Sequence, residues 1–374
     1  MIEKCNGCGA EIQFLDNTKV GYIKEEVYNK RKEENKEILC ERCFRLKHYN
    51  EVEKVTIDED KFLEFAKSYL TNNMLICMIV DMFDLDGTII KDINEIFPHN
   101  EVLVIGNKYD LFDRSNRPTK LKKYLSGFLS DAGIKTIGTI ITSAIELDGA
   151  KKVYEAIVKV VNLNNLSRDV FFFGMSNSGK TTLLKSMGEV FNNEDSKKLI
   201  TSKAISTTIG LKEIDLPDIR IIDSPGLVND KQMTYYLNKK TIDYLMPKNF
   251  IKPTVYQLNP LQTIYIDGFG AVSLLEREEK SASFIFYVSS LVKLHRTKYE
   301  ENYGFLEKHR KDIFVVPSKT ERKKLGEMVK YEFNVNEDNE LALAGIGFVG
   351  FNSSCKIEVL MYEKISVNIR KKMI

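Results

Sequence analysis

Apolar residues in this chain fall in blocks separated by polar stretches. Met74–Val80 (MLICMIV) is an unbroken apolar run, and Glu101–Ile105 (EVLVI) is a second after its first residue. Runs of that length, apolar at nearly every position, predict strands buried on both faces of a parallel sheet. A polar, helix-like stretch from Lys120 to Leu129 leads to a weaker apolar run, Ile137–Ile141. Asp169–Phe173 (DVFFF) predicts another buried strand, Thr182-Leu183-Leu184 the opening of a helix, and Asp218–Ile222 a further strand. Strands alternating with helices predict an α/β layer structure with ligands at the carboxyl ends of the strands. From about residue 250 the pattern changes. Lys356–Met361 and Ser366–Arg370 read as strands, and the glycines of Ala344–Gly350 as turns. No helix follows those glycines, so they are not a dinucleotide fingerprint.

A length of 374 residues suits two or three domains, and 43% hydrophobic content gives each a core of ordinary size. The divisions expected are 1–55, 56–245 and 246–374. Charged residues make up 29%, nearly balanced at a net +2, so only local clusters bear on nucleic acid. No apolar run approaches the roughly 20 residues that span a bilayer, and the opening MIEKCNGCGAEIQ has no signal core. A cytoplasmic protein with reduced thiols and no membrane partner is expected.

Two loops between the runs carry the chemistry. Gly174-Met175-Ser176-Asn177-Ser178-Gly179-Lys180-Thr181 follows a predicted strand and opens a helix at Thr182. This is the G-x-x-x-x-G-K-[ST] phosphate loop in its required context. Its backbone N–H groups and helix N-terminus form a nest for phosphates. Lys180 is expected to reach the β- and γ-phosphates and Thr181 to ligate Mg²⁺. Asn107-Lys108-Tyr109-Asp110 follows the second strand and matches N-K-x-D. A carboxylate at Asp110 accepts from the ring N–H and exocyclic amine of guanine, and adenine offers neither donor on that edge. Lys108 lays its stem over the base, Asn107 ties the loop to the phosphate loop, and Ser143-Ala144 offers an N–H to the guanine carbonyl. Asp223-Ser-Pro-Gly226 is the D-x-x-G switch-II pattern, with Asp223 holding Mg²⁺ and Gly226 meeting the γ-phosphate. Ser206-Thr207-Thr208 resembles switch I, with Thr208 as the magnesium and γ-phosphate sensor.

The order is N-K-x-D, S-A, phosphate loop, switch I, D-x-x-G, whereas the usual GTPase begins with the phosphate loop. The nucleotide domain is therefore read as circularly permuted. That order places switch II just ahead of the C-terminal region, and loss of the γ-phosphate is expected to be passed on through Leu227–Lys240. Leu227 stands where many GTPases carry a water-orienting glutamine, so slow intrinsic turnover is expected. Asn177 suggests a K⁺ site beside the phosphates, which with Lys180 and Thr208 would complete the catalytic set.

Cys5-x-x-Cys8 and Cys40-x-x-Cys43 are two C-x-x-C turns 31 residues apart. Together they can make a closed tetrahedral site for structural Zn²⁺, with a redox dithiol as the competing reading. A module of about 50 residues with few large apolar side chains needs such a staple. Arg42, Arg45, Lys47 and His48, with Phe44 and Tyr49, form a basic-aromatic cluster beside the second turn. From Leu291 to Lys330, 11 Lys/Arg face 6 Asp/Glu, and Tyr299, Tyr303 and Phe305 interleave with them. An RNA footprint and a merely solvated face are both open readings.

CNGCGAEIQ, CERCFRLKHYNEV, IVDMFDLDGT, GNKYDL, TSA, GMSNSGKTTLL, DSPGL, LHRTKYE and the terminal AGIGFVGF to NIRKKMI together resemble the YqeH-type circularly permuted GTPases from end to end. The resemblance implies a treble-clef-like zinc module, a permuted α/β G domain and an α+β C-terminal domain that binds RNA or protein. It implies a GTP-hydrolysing role in small (30S) ribosomal-subunit assembly, with rRNA or a precursor particle as partner. The chain departs from the pattern at Ile205-Ser206, where the family usually has Pro-Gly before the switch-I threonines. A passive RNA-binding factor with structural GTP is the alternative reading. A small-molecule NTPase or kinase would lack a substrate motif.

Overall fold

The computed structural model describes residues 3, 5–6, 10–15, 21–34, 37–41, 44, 66, 70–113, 115–191, 212–224, 233–277, 281–301 and 303–374. The chain forms two compact units, Met1–Ile57 and Asp58–Ile374.

In the first unit the helix Glu25–Glu33 buries none of its residues. The core is small: Cys5, Leu39 and Cys40, with Ile12 and Phe44 against them.

The second unit contains a six-stranded sheet. Its strands are β1 (Leu75–Asp81), β2 (Val102–Asn107), β3 (Gly138–Ile141), β4 (Asp169–Gly174), β5 (Lys212–Asp215) and β6 (Arg220–Asp223). They lie in the order β3-β2-β1-β4-β6-β5, parallel except for β5. Every residue of β1 and β2 is buried, as their unbroken apolar runs require of central strands. One face packs Cys77, Ile79 and Phe172 against Ile157 and Val161 of the helix Leu147–Leu163 and Leu184 and Met187 of the helix Lys180–Val190. Elsewhere Phe97 stands edge-on to Phe171 and Phe173, with centroids 6.1 and 5.3 Å apart. β1, β2 and β3 precede the phosphate-loop strand β4 in the chain yet share its sheet, β1 beside β4 and the base-reading β2 next beyond, as a circular permutation demands.

The C-terminal part is β-rich rather than an even α+β mixture. β7 (Thr254–Leu258), β10 (Ala282–Val288), β13 (Asn339–Leu343), β14 (Gly347–Phe351) and β16 (Val367–Lys371) form one antiparallel sheet. β8 (Gln262–Ile266), β9 (Gly270–Glu276), β11 (Leu294–Lys298), β12 (Met328–Val335) and β15 (Cys355–Tyr362) form another. Phe284, Leu341 and Val349 of the first share one core with Ile264, Val272 and Val359 of the second. The lone cysteines Cys77 and Cys355 are buried, as small hydrophobes should be.

Candidate guanine-nucleotide site

The carboxyl ends of β1, β2, β4 and β6 fall on one edge of the sheet, where Asp81 pairs with Asn107 across β1 and β2, Ile79 with Gly174 and Phe172 with Asp223. That edge is where an open α/β sheet binds ligands.

The phosphate loop leaves β4 at Gly174 and enters the helix Lys180–Val190 through Gly179 at φ 88°. A Cβ there would meet Asn107 Nδ2 at 2.1 Å, so only glycine permits the approach of the two loops. Met175 and Ser178 are buried and Ser176 half-buried, while Asn177 is exposed at φ 67°. The Ser178 hydroxyl is buried with no hydrogen-bond partner among the described residues. Thr181 and Thr182 are exposed on the first helical turn. Lys180 is 4% exposed. It turns back across the loop, donating to the carboxylate of Asp223 and the carbonyl of Ser224. Ser224 is held in turn by its N–H, which donates to Phe172 O at 3.1 Å.

Asn107 is the joint of the base side. Its Nδ2 donates to Ser178 O at 2.9 Å and its Oδ1 accepts from Ala144 N–H at 2.9 Å. One buried amide thus fixes N-K-x-D, S-A and the phosphate loop to one another, and both its polar atoms are satisfied, as burial requires. Tyr109 N–H donates to Thr142 O at 3.0 Å. Ser143 Oγ donates to Asp110 Oδ1 at 2.6 Å, which aims that carboxylate. Ser186 Oγ donates to Ala144 O at 2.6 Å, tying the S-A turn to the phosphate-loop helix. Lys108 is left-handed at φ 67° and its ammonium meets Asp81 Oδ2 at 2.5 Å.

The residues fit a magnesium-bound guanine nucleotide. The glycine cradle leaves room that a Cβ would fill, and a buried serine hydroxyl lies unpartnered in the loop. A hydroxyl at Thr181 and a carboxylate at Asp223 are the hard oxygen donors Mg²⁺ takes. Thr208, Gly226, Cys8 and Cys43 lie outside the described residues, as do residues 227–232 of the expected relay. In the first unit Cys40 N–H donates to Cys5 Sγ at 3.2 Å, and both residues are buried.

The rings interleaved with the C-terminal cations have partners of their own. Tyr303 is 3% exposed, donating from its hydroxyl to Glu358 at 2.7 Å, and Phe305 packs on Tyr265, His295 and Phe314. Tyr303 is part of a buried cluster on the second β-sheet, and the half-buried Phe305 packs against it. The lysines beside them remain exposed. Reading the sequence by motif also missed Asp81, Asp84 and Asp86, although an aspartate closing a buried strand was a visible signal.

Residues 281–373 match the family model described as YqeH-like, C-terminal, and residues 169–319 match the one described as 50S ribosome-binding GTPase. The chain is 32% identical to the uncharacterized protein YqeH of Bacillus subtilis (strain 168), over 98% of this chain and 97% of that one. It is 23% identical to the NO-associated protein 1, chloroplastic/mitochondrial, of Arabidopsis thaliana, over 84% of this chain and 59% of that protein. The crystal structure of YjeQ from Thermotoga maritima aligns at 16% identity and a TM-score of 0.27 over 47% of this chain and 57% of that one, too slight a likeness to bear on the fold. Phosphate loop, guanine loop and near full-length identity agree: the chain belongs to the YqeH family and is a GTP-hydrolysing enzyme.

Proposed function

We propose that this GTPase is a nucleotide-timed switch in assembly of the small (30S) ribosomal subunit, recognising rRNA or a precursor particle. The carrying observation is the course of the chain after D-x-x-G. Met233 and Leu237 are buried in the C-terminal β core, and Asn238 N–H donates to the buried Glu321 at 2.9 Å. A rearrangement at Gly226 would therefore pull on packed side chains of the C-terminal sheets, and packed cores respond in discrete steps. Lys293, Arg296 and Lys298 are exposed on the edge strand β11 or just before it, and Lys308, Lys311, Lys323 and Lys324 are exposed nearby in sequence. Such cations suit a phosphate backbone. Likeness to a model described as 50S ribosome-binding supports association with ribosomal particles; the choice of small subunit is the reading's own.

In hydrolysis Asp110 selects guanine, Asn107 and Ala144 hold the base loop, and the N–H groups from Gly174 to Thr182 cradle the phosphates. Lys180, released from Asp223, neutralises the β- and γ-phosphates. Thr181, Thr208 and Asp223 would hold Mg²⁺, whose charge stabilises the transferring phosphoryl group. Asn177 would hold K⁺, whose charge would supply what an arginine finger supplies elsewhere, and equal rates in K⁺ and Na⁺ buffers would remove that element. Cys5, Cys8, Cys40 and Cys43 hold structural Zn²⁺. The Cys40 N–H donates to Cys5 Sγ, which brings the two turns together at that sulfur. Metal analysis should find one zinc per chain, lost in Cys40→Ser.

The test is recovery of ribosomal particles on the tagged protein with GDP, GTP and a non-hydrolysable analogue. Nucleotide-dependent recovery of 30S precursors is expected. Recovery of large-subunit particles alone, or recovery indifferent to nucleotide, sinks the switch in this form.

A further inference from the structure

IVDMFDLDGT carries the family resemblance yet has no part in the nucleotide motifs. It begins in β1 and turns at its carboxyl end, beside the guanine loop. Asp81 is 1% exposed. Its Oδ2 accepts from Lys108 Nζ at 2.5 Å, and its Oδ1 accepts from Phe83 N–H at 2.9 Å. Its own N–H donates to Thr88 Oγ1 at 2.9 Å, and that hydroxyl donates to Asp84 O at 2.7 Å. The turn is pinned from beyond as well: Asp84 accepts from Gly345 N–H at 2.8 Å, and Asp86 accepts from Asn368 at 3.1 Å and pairs with Arg370. A carboxylate so held cannot follow its partner, so the partner must come to it.

We infer that Asp81 is a positioning residue for guanine recognition, acting through Lys108. The four-carbon stem of Lys108 is meant to lie along the base plane, and a lysine free at its far end would sample many rotamers. Asp81 fixes that end from inside the protein. A charge-assisted bond in a buried setting restricts the side chain strongly. The backbone at Lys108 is left-handed, a conformation with a cost for a side-chain-bearing residue, and the bond to Asp81 helps to hold it there. Among the described residues Asp81 makes its side-chain hydrogen bonds to Lys108 and Phe83 and none to the phosphate loop, so its influence should fall on retention of the base rather than on phosphoryl transfer.

The inference rests on Lys108 and Asp110 as the base-binding pair. It is tested by stopped-flow release of a fluorescent GDP from the full chain bearing Asp81→Asn, Lys108→Met or both. Each single change should speed release about tenfold, the scale of one charge-assisted hydrogen bond. The double change should release no faster than about twice either single one, because the two side chains act as a unit. Asp81→Asn should raise KM for GTP about tenfold with kcat within twofold, a split that general loosening of the fold would not give. Asp81→Glu keeps the charge and should recover most of the loss. Asp81→Ser, which also removes the charge, replaces Asp81→Asn in the cycle if that variant does not fold. Release unchanged in the Asp81 variants, with Lys108→Met fast, overturns the role of Asp81 alone. An additive double variant overturns it too. Unchanged release in Lys108→Met sinks the base-pair reading beneath it.

Discussion

The Gly345 N–H donates to Asp84 Oδ1 across 2.8 Å, joining the turn that follows β1 to the β13–β14 turn of the C-terminal sheet. Gly345 is left-handed at φ 77°, and a Cβ there would meet Met233 Cε at 2.5 Å. One turn therefore touches both the guanine half of the site and the segment that follows switch II. Burial and the nearby Asp81 push the Asp84 carboxyl up to about 6 from 3.8, against the opposing pull of the Gly345 N–H.

A folded-state pKa above the unfolded one means that the folded protein holds more protons between about pH 4 and 6. The contribution of Asp84 to stability is thus present at low pH and is lost as pH rises through about 6. Asp84→Asn keeps an oxygen for Gly345 and removes the charge. Its Tm should fall less between pH 4 and 7 than the wild type's, by an amount equivalent to at most about 3 kcal/mol at neutral pH. Parallel Tm-against-pH curves for the two proteins would show that the Asp84 charge is not the cause.

Arg370 pairs with Asp86 and, at 2.7 Å from Nε, with Glu340; all three side chains are 8% exposed or less. Burial raises the Glu340 pKa and Arg370 draws it back. Arg370→Gln would leave two buried carboxylates without their cation. Breaking such a group costs about 3–5 kcal/mol, so calorimetry should show a Tm lower by about 10 °C. The loss should shrink at low pH, where burial favours protonation of Glu340.

Much of this was legible in the sequence for a simple reason. Buried parallel strands are apolar at every position, and phosphate loops need glycine where the backbone is left-handed, so β1, β2, β4 and the Gly174–Thr181 loop announce themselves. Helix and strand ends were displaced by one or two residues because packing, not propensity, sets them. The C-terminal half was harder. Lys293 to Lys298 reads as a basic patch and is the edge strand β11; Tyr303 and Phe305 read as surface aromatics and lie in a cluster. Their partners Tyr265 and Glu358 are distant in sequence, and no local pattern reveals such pairings. Asp81 and Asp84 stayed hidden for the same reason: their partners, Lys108 and Gly345, lie 27 and 261 residues away.

Asn107 is the most economical point at which to loosen the site. Asn107→Ala removes two hydrogen bonds of 2.9 Å and leaves Ala144 N–H and Ser178 O without their partner. At about 1–1.5 kcal/mol per bond, GDP should bind roughly 30- to 150-fold more weakly. Fluorescence titration measures this directly. A change under threefold would mean that the loops hold one another without the amide.

The base itself can be exchanged. Guanine presents two donors to Asp110, the ring N–H and the exocyclic amine, and a carboxylate accepts both. An amide in its place offers one acceptor and one donor. It therefore opposes the amine of guanine but suits xanthine, which keeps the ring N–H and replaces the amine with a carbonyl. The neighbouring Ser143 hydroxyl, which now donates to Asp110 Oδ1 at 2.6 Å, can donate to the amide oxygen or accept from its nitrogen, so the new group need not be left unsatisfied. Asp110→Asn should lower kcat/KM for GTP by about 100-fold or more and raise that for XTP, since a buried polar mismatch discriminates strongly. Phosphate release with both nucleotides decides it. Loss of GTP activity with no gain for XTP would mean that Asp110 shapes the loop but does not itself read the base.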